Sequence, residues 1–194
     1  MKKTKVILLF LLLISGMLHA QQKDSINFKE EIIIDGKRYR IWNNWVDFGY
    51  GAGYHSKNPR TQQAVDLNFN FRIKKYYFRF GGMLSGDEFG LWNNYQIHGG
   101  WVPFRRENEN RHIAAIAALS YSTGYKFIYA GHYANDPYKE FGFYGELQYI
   151  RKVQYSVGLG AAFFVDVNAK NTITGIKLKA FLSGAYQGYA KKHH

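Results

Sequence analysis

The stretch AVDLNFNFRIKKYYFRF, residues 64–80, constrains the fold of this chain more than any other segment. Apolar and polar residues alternate along it, two lysines interrupt, and the alternation resumes. A repeat of two is the signature of a β-strand whose faces meet different surroundings. Two such runs separated by two residues read as a hairpin, here with its turn at Lys74–Lys75.

The same test finds eight strand-like segments along the chain. WVDFGYGAGYH sets Val46, Phe48, Tyr50, Ala52 and Tyr54 against Asp47, Gly49, Gly51 and Gly53. AVDLNFNFRIK, YYFRFGGMLS and NYQIHGGWV complete the first half. HIAAIAALSYSTGY, FGFYGELQYI, VQYSVGLGAAFFVD and IKLKAFLSGAYQGY repeat the plan, with Ile116 breaking the pattern. No segment keeps a helical period, and no short solenoid repeat is present. The predicted fold class is all-β: an eight-stranded antiparallel up-and-down barrel over residues 41–190.

Alternation alone does not say which face meets water. A soluble, lipocalin-like carrier turns its apolar face inward, whereas a transmembrane barrel turns it outward. The polar face here is rich in Gly, Ser, Asn and Gln, which suit the cramped interior of eight strands. The apolar face is large and aromatic; Phe, Tyr and Trp make up 18% of the chain. Connections also alternate in length, with tight turns at Lys74–Lys75 and Arg151–Lys152 and longer loops between them. FRRENENR, residues 104–111, is the exception, a long connection on the short-turn side. Short turns belong to the periplasmic end of such barrels. Trp45, Tyr76, Trp101, Tyr149 and Tyr155 are then expected at the inner interface, and Tyr54, Tyr95, Tyr121 and Phe141 at the outer one. A transmembrane barrel, polar inside and apolar outside, is the reading that follows.

The chain ends fit export. Lys2, Lys3 and Lys5, the apolar run 6–14, and Ser15, Gly16 and Ala20 make residues 1–20 a secretory signal peptide, too short to span a bilayer. The absence of cysteine excludes lipoprotein processing, disulfides and thiolate metal sites. Without residues 1–20, 23 basic residues face 14 acidic ones. Export argues against nucleic acid as the partner of this charge and leaves anionic lipid or an acidic polysaccharide, with a solubilising, turn-located excess of charge ranked ahead of either. Outer-membrane lipid and another envelope protein are the expected partners of the chain as a whole. Residues 21–40 form a periplasmic lead or a short hairpin about Asp35–Gly36, since Asp-Gly is a turn signal. Residues 191–194 are a C-terminal tail.

With its signal peptide, alternating strands, basic inner turns and a last strand AFLSGAYQGY ending on Tyr189, the chain resembles the small eight-stranded outer-membrane β-barrels of Gram-negative bacteria. The resemblance implies the cell outer membrane as location. It leaves activity open, because the fold hosts adhesins, structural proteins, small channels and lipid-modifying enzymes.

Three sets of residues are candidates for function. Asp47, Asp66, Arg72, Arg79, Glu146, Asp166, Lys177 and Lys179 are predicted to face the lumen. Mixed charges in a narrow tube must pair, so they are expected to form an ion-pair network, with Asp166 and Lys177 as a pair near the outer end. Their other use is as the selectivity filter of a small-solute channel, although eight strands leave little bore. Lys57, Arg60, Trp92, Tyr133 and Tyr138 lie in predicted outer loops and are candidate partner contacts. His55 and Ser56 are the pair to test for the minor alternative, a lipid deacylase or acyltransferase; Asp87, Glu88, His132 and Asp136 share those loops. No G-x-S-x-G elbow accompanies them. His98, His112, His193 and His194 lack the spacing of metal ligands, and the Gly-rich runs precede no helix that would make a phosphate loop. No metal and no cofactor is expected, and the leading functional expectation is a non-enzymatic structural or partner-binding role.

Overall fold

The computed structural model of the protein describes residues 31–41, 43–56, 58–86, 92–129 and 132–189, with the backbone alone at 58–60, 92–93, 126–129 and 132–136. The expected signal peptide, residues 21–30 of the expected lead, Lys57, Asp87, Glu88 and the tail 191–194 lie outside the described residues.

Eight strands close a barrel: β3 (Trp45–His55), β4 (Asn58–Ile73), β5 (Tyr76–Gly86), β6 (Trp92–Glu107), β7 (Arg111–Tyr129), β8 (His132–Gln154), β9 (Val157–Asn168) and β10 (Thr172–Ser183). Each pairs antiparallel with its sequence neighbours, and β10 pairs with β3 from Ile173↔His55 to Ser183↔Trp45 to complete the ring. Closure leaves no open seam around the ring, which a bilayer demands because lipid offers no hydrogen-bond partner.

The faces settle the orientation. Phe48, Leu67, Phe69, Phe71, Phe80, Leu147, Leu159 and Phe163 point out of the barrel, and Phe141 and Leu178 are 80% and 70% exposed. Asp47, Asn68, Asn70, Gln96, Ser120 and Gln148 are buried within it. An exterior this apolar on all sides is stable only against hydrocarbon, so the chain is a transmembrane barrel and the lipocalin-like alternative is excluded.

Several local expectations are corrected. Trp45 and Tyr155 are not in the interfacial girdle. Trp45 shares the strand parity of Asp47, so it points inward and packs with Tyr77, Val102, Ile116, Ile150 and Phe181. Tyr155 packs beneath Tyr39 and Ala185. The long connection at 104–111 is absent, because β6 and β7 continue pairing to Glu107↔His112 and turn over Asn108–Asn110. There the Asn108 carboxamide oxygen accepts from the Asn110 and Arg111 amides at 3.0 and 2.7 Å, an Asx-type closure. Similarly, β8 does not turn at Arg151–Lys152 but runs to Gln154, with its turn at Tyr155–Ser156.

The last strand also divides. β10 stops at Ser183, and β11 (Tyr186–Tyr189) leaves the barrel to pair with β2 (Lys37–Arg40), itself hairpinned to β1 (Glu31–Ile34). Asp35 and Gly36 supply the two positive φ values, 49° and 72°, that a type I′ turn needs. This three-stranded sheet sits at the short-turn end, with Tyr39 and partly buried Ile32 and Ile34 around Tyr155.

Gly49 shows how tightly the interior is filled. A Cβ on Gly49 would collide with the Asp66 carboxylate and lie 3.1 Å from Lys179 Cδ, whereas one on outward-facing Gly99 would meet nothing nearer than Phe80 at 3.9 Å. Gly49→Val is therefore expected to abolish refolding and Gly99→Val to leave it intact. The fraction showing heat-modifiable mobility on a gel reads both.

Candidate functional site

The lumen is filled in three layers. Toward the short-turn end lie the Trp45–Phe181 cluster and His112, which is stacked edge-on with Trp45 at 4.9 Å. Toward the loop end, Ala64, Met83, Ala118, Tyr144, Phe164 and Ile173 pack together. Between them is a network of six charges, three acidic and three basic, whose side chains are all 0% exposed.

Inward parity on five strands brings these charges together. Arg79 on β5 donates to Asp47 on β3 at 2.7 Å and to Glu146 on β8 at 2.6 Å. Its remaining donors reach Asn70 and Gln148 at 2.8 and 3.0 Å. Lys179 on β10 donates to Asp47 at 2.8 Å and Asp66 at 2.9 Å, and lies 3.3 Å from Glu146. Lys177 pairs with Asp66 and lies 3.1 Å from Glu146. Tyr144 donates to Glu146 at 2.5 Å and accepts from Lys177 at 2.9 Å. His98 stacks on Tyr144 at 4.2 Å and bonds to Asn68 at 2.8 Å. Equal numbers of opposite charges, each with several partners, offset the desolvation that would expel a lone ion.

Two of the eight lumen candidates stand apart. Asp166 does not pair with Lys177. The β9–β10 register puts Asp166 opposite Ile173 and Lys177 opposite Ala162, four rungs or about 13 Å along the strand. Asp166 instead accepts from Ser120 at 2.6 Å, Ser122 at 3.2 Å and Gln96 at 3.2 Å. Arg72, near the short-turn end, donates to the Lys74 carbonyl at 2.5 Å. A second ionic group closes that end: Glu107 pairs with Arg105 and Lys152. Lys152 also lies 3.7 Å from the Tyr155 ring, whose phenol burial pushes above its ordinary range.

The rim residues separate. His55 turns into the lumen, 2.6 Å from the Asn171 carboxamide and 3.4 Å from the Ser85 hydroxyl. Ser56 lies exposed in the β3–β4 turn and accepts from the Thr172 amide at 3.1 Å. His55 is buried at the end of β3 and Ser56 is exposed in the turn, and among the described residues no hydrogen bond joins the two. Tyr138 is half buried, and its hydroxyl donates to Asn94 at 2.8 Å, which makes it a brace inside the barrel mouth and not a free loop contact. Arg60, Trp92 and Tyr133 fall on the loop-end portions of β4, β6 and β8. Lys57 lies outside the described residues.

The expected loop between the fifth and sixth barrel strands is instead a continued hairpin. β6 last pairs with β7 at Asn94↔Gly124, and β9 last pairs with β8 at Gly142↔Asn168. Among the described residues, β7 and β8 beyond these points pair only with each other, to Tyr129↔His132. Five further residues of β7 carry this hairpin about 15 Å past the Asn94↔Gly124 pair.

No protein-family model matches the chain, and no curated protein matches it in sequence. Solved structures do resemble it. Neisserial surface protein A aligns with a TM-score of 0.53 at 10% identity, covering 72% of this chain and 96% of that one. Ail, the attachment invasion locus protein of Yersinia pestis, solved in complex with the heparin analogue sucrose octasulfate, aligns with a TM-score of 0.46 at 8% identity, covering 74% and 97%. At such identities the likeness is one of fold. With the closed ring of eight strands and the hydrocarbon-facing exterior, the chain has the architecture of the small Gram-negative outer-membrane β-barrels, and the outer membrane is its location.

Proposed function

We propose that the barrel is a sealed, non-enzymatic scaffold that presents the β7–β8 hairpin and the neighbouring loop ends to a partner outside the cell. The observation carrying this reading is the six-charge network: its side chains are fully buried between two apolar layers, so the tube is occupied along its length. Occupancy speaks against a channel, and the separation of His55 from Ser56 removes the pair on which lipid hydrolysis was to rest. What remains available is the projecting hairpin, where Tyr133 lies, with Arg60 and Trp92 on adjacent strands.

Planar-bilayer recordings of the wild-type barrel should show no discrete conductance steps; regular single-channel events would overturn the sealed reading. Photo-crosslinkers at Tyr133 should give a discrete protein adduct on intact cells, whereas the same probe at Leu178 should label lipid only. Identical patterns at both positions would remove the hairpin as the partner surface.

A further inference from the structure

At the short-turn end, three arginines lie side by side on the outer surface. Arg111 on β7 stands directly opposite Arg151 on β8, and Arg106 on β6 stands opposite Ile113, two residues from Arg111. All three are exposed and follow the parity of the lipid-facing residues Tyr149 and Val153. Like charges directly opposite on adjacent strands repel and destabilise a sheet. Among the described residues, none of the three has an ion pair to relieve this. Of the nearby carboxylates, Glu107 points inward, where Arg105 and Lys152 engage it, and Glu109, exposed in the β6–β7 turn beside Arg111, makes no ion pair with the three among the described residues. The basic collar continues to Lys74 and Lys75 in the β4–β5 turn, both exposed. At the loop end, by contrast, Lys170 lies 3.8 Å from Glu140.

Such a cluster favours an anion from outside the protein. Its position selects one: the arginines sit where the apolar band of β7 and β8 ends, at the depth of lipid headgroups, and short turns mark this as the periplasmic end. The leaflet there is built of glycerophospholipid. The guanidinium group matches phosphate with paired, charge-assisted hydrogen bonds. We propose that Arg106, Arg111 and Arg151 form a binding site for an anionic phospholipid of the inner leaflet, with the two phosphates of cardiolipin answering the opposed Arg111–Arg151 pair.

The test uses the full barrel in neutral detergent, with variants first shown to be folded by heat-modifiable gel mobility. Native mass spectrometry should find cardiolipin retained by the wild type, at least tenfold less retained by the R106Q/R111Q/R151Q variant, and unchanged retention by K139Q at the opposite end. R151E gives a second reading. By placing a carboxylate opposite Arg111 it should raise the thermal midpoint without lipid and cancel the rise that cardiolipin gives the wild type. Equal retention by the triple variant, equal retention of phosphatidylethanolamine, or preference for lipid A over cardiolipin would each overturn the proposal.

Discussion

Arg79→Met is expected to lower the unfolding free energy by about 3–5 kcal/mol, the cost of breaking a buried ion pair by removing one partner. Arg79 is the hub of the lumen, holding Asp47 and Glu146 while donating to Asn70 and Gln148. Without it, three carboxylates share two lysines in a dry tube. Adding Glu146→Gln rebalances the charges at two against two, so the double variant should recover part of the loss. Urea unfolding in lipid vesicles, followed by tryptophan fluorescence, measures both. A loss below about 1 kcal/mol for Arg79→Met, the range of solvent-exposed pairs, would show that water reaches these charges and that the lumen is not sealed.

The second large effect lies on the opposite surface. Leu178, 70% exposed in the middle of β10, faces the centre of the hydrocarbon. Leu178→Arg should cost about 2–4 kcal/mol, while Leu182→Arg, near the short-turn end of the same strand, should cost about 0–1 kcal/mol because its guanidinium reaches the headgroups. The same vesicle assay reads the depth profile. Equal costs at both positions would mean that the apolar band does not follow the bilayer.

The barrel and its inside-out polarity were legible because both rest on a local rule. Asp66, Asn68 and Asn70 facing away from Leu67, Phe69 and Phe71 says the same thing in sequence and in space. Contacts between strands distant around the ring were not legible. Arg79 meets Glu146 across the tube, at a separation of 67 residues, and which rungs face each other there depends on strand tilt and stagger, not on alternation. The same blindness paired Asp166 with Lys177. Trp45 is a different case: its parity with Asp47 was readable, but its place at a strand end drew it to the girdle. Phe164 and Phe181 repeat that lesson, since a narrow barrel fills its ends with aromatic volume even though its middle is polar. The departure of β11 from the barrel was hidden because alternation continues through Gly184–Ala185, while the pairing partner of Tyr186 is Tyr39, far back near the start of the described chain.

That last pairing bears on how the molecule is made. β2 cannot find β11, nor β3 its seam with β10, until well over a hundred residues have been delivered between them. Contacts of such sequence separation are slow to form. The early hairpin must therefore wait, and the small terminal sheet acts as a clasp that can fasten only once the ring has joined.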